Sequence, residues 1–200
     1  MPLLDHNQIV INQKAKLIEL TNEYAIRDID GNDVGTIKQE GQSKAKKIAR
    51  FVSSLDQFMT HSLSVYQADG SKVLEVIRPR KIMKSTVQVA DGTGAPLGTI
   101  RQKNMIGKIN FGLHDTMDQK LGEIRAENWR AWNFSIVDAG DQEVARITKT
   151  WEGLAKTMFT TADNYLLDVQ PECQGTLRWL VFASAVSVDL ALKQDARGFG

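Results

Sequence analysis

Lysine and arginine residues are concentrated in two short stretches of the sequence. In residues 44–59, Ile48, Val52, Leu55 and Met59 recur at spacings of three and four, which predicts an amphipathic helix. Basic side chains of this kind attract anionic lipid head groups, which defines a candidate lipid-binding set. Its members are Lys44, Lys46, Lys47, Arg50, Arg78, Arg80, Lys81 and Lys84. The competing interpretation of the helix is that it covers one end of the fold with solvated lysines, and it is favoured because short basic helices are common at protein surfaces.

The residues that most often carry covalent chemistry are isolated from one another. His6, His61 and His114 have no Cys, His or Glu at metal-ligand spacing. Cys173 has no histidine near it in the sequence, and an inert thiol is the favoured interpretation. No phosphate-binding loop, dinucleotide-binding glycine motif or nucleophile elbow is present. We therefore expect a protein that is not an enzyme and that has no resident cofactor.

Tryptophan residues offer one further candidate surface. Trp129 and Trp132 could form an aromatic edge for a membrane interface or a ligand, although packing between adjacent hairpins is the favoured interpretation. Trp151 and Trp179 are predicted to lie in the core.

Length, charge and cysteine content restrict the class of protein. The 200 residues are enough for one well-filled core, and the formal net charge of +1 gives no overall field toward nucleic acid or anionic lipid. The single cysteine excludes an intramolecular disulfide, and the first residues do not resemble a signal peptide. We expect one cytoplasmic domain over residues 1–200, peripheral at a membrane if it binds lipid.

A repeated pattern predicts the architecture. It consists of alternating apolar residues, a turn rich in Asp and Gly, then an apolar residue, two spacers and Ile, and it is typical of a β-hairpin. Five copies run over residues 24–37, 63–77, 87–100, 111–124 and 134–147. The three-residue apolar spacing after the turn, as from Leu97 to Ile100, predicts a β-bulge, often at the small residue that follows the first apolar one.

Segments on either side of the repeats complete the predicted fold. Residues 9–11 and 165–167 could add a strand at each end, and the repeats alone leave a barrel and a two-sheet sandwich equally open. Residues 176–193 are predicted to form a helix that is apolar on nearly all sides. The apolar stretch within it spans about 24 Å, short of a hydrocarbon layer of about 30 Å, which favours a helix buried inside the protein.

These elements and several motifs resemble the phospholipid scramblase family and the wider tubby-like and LURP-one-related group. Residues 8–13 and 22–26 are similar to the family's opening strands, and Val76-Ile77-Arg78-Pro79 is similar to its Arg-Pro strand end. The most specific match runs from Lys149 through Trp151, Gly153 and Phe159 to Ala162-Asp163-Asn164-Tyr165. The resemblance implies an all-β fold, a closed antiparallel barrel of about twelve strands around the C-terminal helix. It also implies phospholipid scrambling switched on by calcium, and contact with phosphoinositide head groups through the basic residues.

Three departures from the family pattern bear on those implications. The family's proposed calcium segment begins with an Asp where this chain has Thr161, and Leu166 stands where an EF-hand loop needs Gly, which leaves Asp163, Asp168 and Glu172 as a disfavoured calcium site. The cysteine cluster and the proline-rich tail of animal scramblases are not matched. The chain therefore resembles the compact bacterial or LURP-one-like members, and a soluble ligand- or protein-binding barrel without lipid transport stays open as the alternative function.

Overall fold

The structure is a computed structural model that describes residues 1–13, 23–40, 61–79, 86–104, 110–127, 133–148 and 164–195. A 3-10 helix at Leu3–Asp5 precedes twelve β-strands and one α-helix. The strands are β1 (Gln8–Gln13), β2 (Glu23–Arg27), β3 (Asp33–Glu40), β4 (His61–Gln67), β5 (Lys72–Arg78), β6 (Thr86–Asp91), β7 (Pro96–Gln102), β8 (Asn110–His114), β9 (Lys120–Ala126), β10 (Phe134–Asp138), β11 (Glu143–Thr148) and β12 (Asn164–Val169); the helix α1 is Gly175–Asp195.

The strands form one closed antiparallel barrel in which each strand pairs with its neighbours in sequence. Closure is made by β1, which pairs with β12 through Ile9 and Leu167 and with β2 through Ile11 and Ile26. The predicted five hairpins and the two added strands are confirmed, and the barrel replaces the sandwich alternative. A closed barrel leaves no strand edge unpaired, which removes the usual route to edge-to-edge aggregation.

All five hairpin turns share one local geometry, which Asp and Gly make possible. In four of them an Asp at the end of the first strand accepts two backbone N–H groups, as Asp91 Oδ1 does from Thr93 and Ala95 at 2.8 and 3.0 Å. The residue three positions later has a positive φ angle and is Gly94 in this turn. At the equivalent positions of the last two turns, Asp118 and Asp141 adopt φ angles of 67° and 69°. Asp tolerates this conformation better than most residues, which explains the turn composition.

Each hairpin also has the predicted bulge, one residue earlier than expected. The residue without a Cα partner is the first apolar residue after the turn, and the small residue that follows it is paired again. The unpaired residues are Val34, Val73, Leu97, Leu121 and Val144. In the second repeat the two apolar residues at a spacing of three are Val73 and Val76, which correspond to Leu97 and Ile100 in the third. Ile77 lies on the outer face, so this repeat ends one residue before the predicted Ile77.

The central helix fills the barrel as the sequence predicted. Leu180, Val181 and Ala183 are buried, and the core is continuous from the inner faces of the strands to the helix. The two buried serines of the helix satisfy their hydroxyls within it, because Ser184 donates to the Leu180 carbonyl at 2.6 Å and Ser187 to the Ala183 carbonyl at 2.8 Å. A helix that is apolar on every side is stable only when it is surrounded by apolar partners, and the barrel provides them.

The up-and-down topology gives the barrel two different ends. The turn end carries the five hairpin turns together with residues 1–7 and residues 170–174, which lead into α1. The loop end is the opposite one, to which the connections β1–β2, β3–β4, β5–β6, β7–β8, β9–β10 and β11–β12 are attached.

Candidate functional site

The described residues of the barrel interior pack closely around α1. Two cavities between α1 and the barrel wall are each about 10 Å³, close to the space that one water molecule needs. One of them lies beside Tyr24 and Tyr165, and the other is lined by apolar residues that include Leu3 and Phe182. A cavity of this size is too small for a lipid or another organic ligand.

Arg178 fastens the first residues of the chain to the start of the helix. Its guanidinium donates to the carbonyl oxygens of Leu4 at 2.6 Å, His6 at 2.8 Å and Cys173 at 3.2 Å, and to Asn7 Oδ1 at 3.1 Å. Leu3, at 1% exposure, closes the interior at this end. The arginine therefore has a structural role that the sequence did not reveal, because three of its four partners lie more than 170 residues away.

A second group missed by the sequence lies on the outer face of β7 and β9. The Glu123 side chain is only 7% exposed and accepts hydrogen bonds from Lys103 Nζ at 2.9 Å and Lys120 Nζ at 2.8 Å. Burial alone would raise the pKa of Glu123, but the two lysines outweigh it, so the pKa is lowered. The carboxylate occupies the position between the lysines, which therefore do not offer a free anion site.

The structure places one member of the predicted lipid-binding set within the described residues. Arg78 is the last residue of β5 and is 3% exposed, so in this structure it does not belong to an exposed basic surface. By strand alternation it shares the inner face with Leu74 and Val76. The remaining members lie outside the described residues; they are Lys44, Lys46, Lys47, Arg50, Arg80, Lys81 and Lys84.

Two of the three predicted calcium ligands lie within the described residues. Asp163 lies outside the described residues, Asp168 is a half-buried residue of β12, and Glu172 is exposed in the turn before α1. The alternation of Tyr165, Leu167 and Val169 is that of a strand, as predicted. In the described part of the chain, no three His, Cys, Asp or Glu side chains are grouped as a metal ion would require.

The remaining sequence candidates are core residues where the structure describes them. Cys173 is 1% exposed, and burial raises the pKa of its thiol to about 11, so the thiol stays protonated at neutral pH. Trp179 is half-buried and packs against the core. Trp129, Trp132 and Trp151 lie outside the described residues.

Charge is distributed unequally along the barrel axis. By the strand bounds, the six connections attached to the loop end are residues 14–22, 41–60, 79–85, 103–109, 127–133 and 149–163. Their sequence contains fourteen of the 25 Lys and Arg residues but five of the 24 Asp and Glu residues. A net charge of +1 therefore conceals an excess of Lys and Arg in the sequence of these connections.

The fold places the chain in a structural class, the closed twelve-stranded antiparallel barrels that are filled by a C-terminal helix. A family profile described as Scramblase matches residues 1–192, and the chain belongs to that family. It is 23% identical over 185 residues to a phospholipid scramblase family protein of Schizosaccharomyces pombe, covering 83% of this chain and 47% of that protein. It is 24% identical over 174 residues to the altered inheritance rate of mitochondria protein 25 of Saccharomyces cerevisiae, covering 74% and 52% respectively. No solved structure gives a significant match.

The relatives are longer than this chain. The chain spans about half the length of the curated relatives that it matches. Among the described residues, no helix has both the length and the apolar character needed to cross a bilayer.

Proposed function

We propose that this chain is a non-enzymatic phospholipid-binding domain that attaches peripherally to the cytoplasmic face of a membrane through the basic residues of its loop end. The observation that carries the proposal is the concentration of lysine and arginine in the connections attached to that end. Each Lys or Arg held near an anionic bilayer contributes about 1 kcal/mol. Membership of the scramblase family supports phospholipid as the partner.

The filled interior supports a surface-binding role over an internal ligand site. The acyl chain of a phospholipid could not enter cavities of about 10 Å³ without displacing α1. We therefore place the contact on the head-group side of the bilayer. Arg78 is omitted from the contact set because it is buried.

The test is co-sedimentation with vesicles of neutral phosphatidylcholine and with vesicles that also contain phosphatidylserine. We expect binding to the anionic vesicles only, with an affinity that falls between low and high salt because surface charges are screened. Neutralisation of Lys44, Lys46, Lys47 and Arg50 to Gln should weaken that binding by roughly 100-fold or more.

A matched control changes the net charge by the same amount at the other end of the barrel. Four exposed residues of the hairpin turns are replaced by Glu, which also lowers the net charge by four. They are Ala68, Ala95, Thr116 and Ala139. We expect this variant to bind anionic vesicles as the parent does. If both variants lose vesicle binding equally, binding depends on net charge and not on the loop end. If the parent protein does not bind vesicles at all, the alternative of a protein-binding barrel is favoured.

Phospholipid scrambling is a second candidate activity, favoured by family membership. Its test is the loss of fluorescence when an impermeant reductant reaches labelled lipid that has moved from the inner leaflet. Calcium and a chelator are compared in both assays, because Asp163, Asp168 and Glu172 form the proposed calcium set. A requirement for calcium in either assay would support that set, and identical results with the chelator would eliminate it.

A further inference from the structure

Asp followed directly by Gly occurs three times in this chain, each time in a hairpin turn. The pairs are Asp30-Gly31, Asp69-Gly70 and Asp91-Gly92. Glycine has no side chain to shield its backbone nitrogen, so this nitrogen can attack the side-chain carboxyl carbon of the preceding Asp. The attack changes the covalent structure of the main chain, and its rate depends on how firmly the carboxyl group is held.

Two of the three pairs occupy equivalent positions, one in the turn between β2 and β3 and one in the turn between β4 and β5. In both turns, the residue two positions before the Asp donates its backbone N–H to a carbonyl oxygen four residues further on, at 3.0 Å. Asp30 and Asp69 are both exposed, and the glycines that follow them have φ angles of 88° and 84°. The two turns differ in the partners of the carboxylate.

The Asp69 carboxylate is held by three hydrogen bonds. Its Oδ1 accepts from the backbone N–H of Ser71 at 2.8 Å and from the Ser71 hydroxyl at 2.7 Å, and its Oδ2 accepts from Gln67 Nε2 at 2.8 Å. The bonds from Ser71 are the main reason that the pKa of Asp69 is lowered. Asp91 is held in a comparable way by the N–H and the hydroxyl of Thr93, at 2.8 and 2.7 Å. These bonds keep the carboxylates charged and fixed in position, and both effects oppose attack by the nitrogen.

The Asp30 carboxylate has no hydrogen-bond partner among the described residues. The residues at the positions that hold Asp69 in the other turn are here Asp28 and Asn32, and they bind each other instead. Asn32 donates its backbone N–H to Asp28 Oδ1 at 2.8 Å and its side-chain amide to Oδ2 at 2.9 Å. The Gly31 N–H lies 3.2 Å from its acceptor, the Asp28 carbonyl oxygen, whereas the equivalent distance in the other turn is 2.9 Å. Asp30 therefore combines an unbound carboxyl group with a less closely held nitrogen.

We propose that Asp30 is a site of isoaspartate formation, and that hydrogen bonding protects Asp69 and Asp91 from the same reaction. The Gly31 nitrogen forms a bond to Cγ of Asp30 and loses its proton, and a carboxyl oxygen leaves as water, which gives a five-membered succinimide. Water then opens this ring. Cleavage of the new bond restores Asp30, whereas cleavage of the original peptide bond leaves the main chain running through Cβ and Cγ with the α-carboxylate free. One water molecule leaves and one enters, so the mass is unchanged and no other reactant is needed.

The structural consequence of the reaction lies in the turn between β2 and β3. The isoaspartyl linkage adds one carbon to the main chain between Asp28 and Asn32, so the hydrogen bonds that join these two residues must lengthen or break. The free α-carboxylate is the group that isoaspartyl-specific carboxyl methyltransferases recognise, which provides a direct assay. This inference does not depend on lipid binding.

The experiment incubates the folded protein at neutral pH and follows isoaspartate at the three sites. Methyl transfer from labelled S-adenosylmethionine by an isoaspartyl methyltransferase measures the total, and electron-based fragmentation of proteolytic peptides in a mass spectrometer locates it. We expect the rate at Asp30 to exceed the rate at Asp69 by roughly tenfold or more, because the loss of one hydrogen bond to a charged group accounts for a factor of that size. In concentrated urea, which removes the turns, the two rates should become similar.

Two variants exchange the hydrogen bonding of the two turns. Ser71→Ala removes the hydroxyl partner of Asp69 and should raise its rate several-fold, with no change at Asp30. The double substitution Asp28→Gln and Asn32→Ser gives Asp30 the partners that Asp69 has, and should lower its rate several-fold. Urea midpoints establish that both variants are folded.

Three results would overturn the proposal. The first is an equal rate at Asp30 and Asp69 in the folded parent, or no isoaspartate at Asp30 in the time in which it accumulates in urea. The second is a difference between the two sites that persists in urea, because the hydrogen bonds would then not be its cause. The third is an unchanged rate at the altered turn in both folded variants.

Discussion

At the scale of single residues, Arg178 shows how a buried cation can be satisfied without a carboxylate partner. Three backbone carbonyls and one side-chain amide accept its hydrogen bonds, and the ring of Phe182 lies 5.7 Å from its guanidinium carbon. Arginine suits this position because its planar guanidinium presents several donors in a fixed geometry. Removal of the side chain would leave carbonyl oxygens of residues 4, 6 and 173 without this donor.

We predict that Arg178→Leu lowers the free energy of unfolding by about 2–4 kcal/mol, because each unsatisfied buried polar group costs about 1–3 kcal/mol. Arg178→Lys, which keeps the charge but fewer donors, should fall between this variant and the parent. Urea denaturation measures both, and hydrogen exchange of residues 3–7 should accelerate in the leucine variant. Unchanged exchange in these residues would show that the arginine does not hold them.

At the scale of secondary-structure elements, the bulge after each turn explains the apolar spacing of three, and in four of the five hairpins a small residue follows it: Gly35, Gly98, Gly122 or Ala145. The bulged residue and the inward residue three positions later both pack on the core, as Leu97 and Ile100 do. A Cβ atom at Gly98 would lie 2.2 Å from the His114 carbonyl oxygen, and one at Gly122 would lie 2.4 Å from that of Val137. At Gly98 and Gly122, glycine is therefore required by the close approach of the next hairpin.

We predict that Gly98→Ala lowers the free energy of unfolding by about 1–3 kcal/mol, the usual cost of overpacking against a backbone that cannot move away. Gly140→Ala is the matched control, because its Cβ would meet only the flexible Asp138 side chain, at 3.3 Å. The control should change stability by less than about 0.5 kcal/mol. Urea midpoints of the two variants test the prediction, which fails if both shift equally.

At the scale of the whole molecule, carboxylates with lowered pKa values couple the stability of the fold to pH. For Glu123, burial opposes ionisation but the lysine hydrogen bonds prevail; for Asp69 the Ser71 hydroxyl is the main cause, and for Asp91 the Thr93 hydroxyl. A carboxyl group whose pKa is lower in the folded state stabilises the fold above its unfolded pKa of about 4. That contribution is lost as the pH falls through the folded pKa.

We predict a nearly constant urea midpoint from pH 7 to about pH 5 and a decline below about pH 4. The variant Glu123→Gln should be less stable at pH 7 and should lose less stability on acidification, so that its curve approaches the parent curve at low pH. Parallel curves for the parent and this variant would show that Glu123 does not contribute to the acid response.

The sequence alone determined the features that depend on residues close together in the chain. Five hairpins follow from alternating apolar residues around Asp- and Gly-rich turns, bulges follow from the spacing of three, and the buried helix follows from its apolar character on all sides. These properties are local, because side-chain period and turn conformation are decided within a few residues. The family motifs were also readable, since they are linear, and so were the basic residues within 44–50 and 78–84.

Only the tertiary structure decided which of those local elements meet. The pairing of β1 with β12 shows that the fold is a barrel and not a two-sheet sandwich. The contacts of Arg178 with residues 4–7 and of Lys103 with Glu123 join positions that are far apart in the chain. Burial of Arg78 removed one residue from the predicted lipid-binding set, because strand alternation and closure turn it toward the interior. The same closure gathers the five turns at one end, which no local pattern encodes.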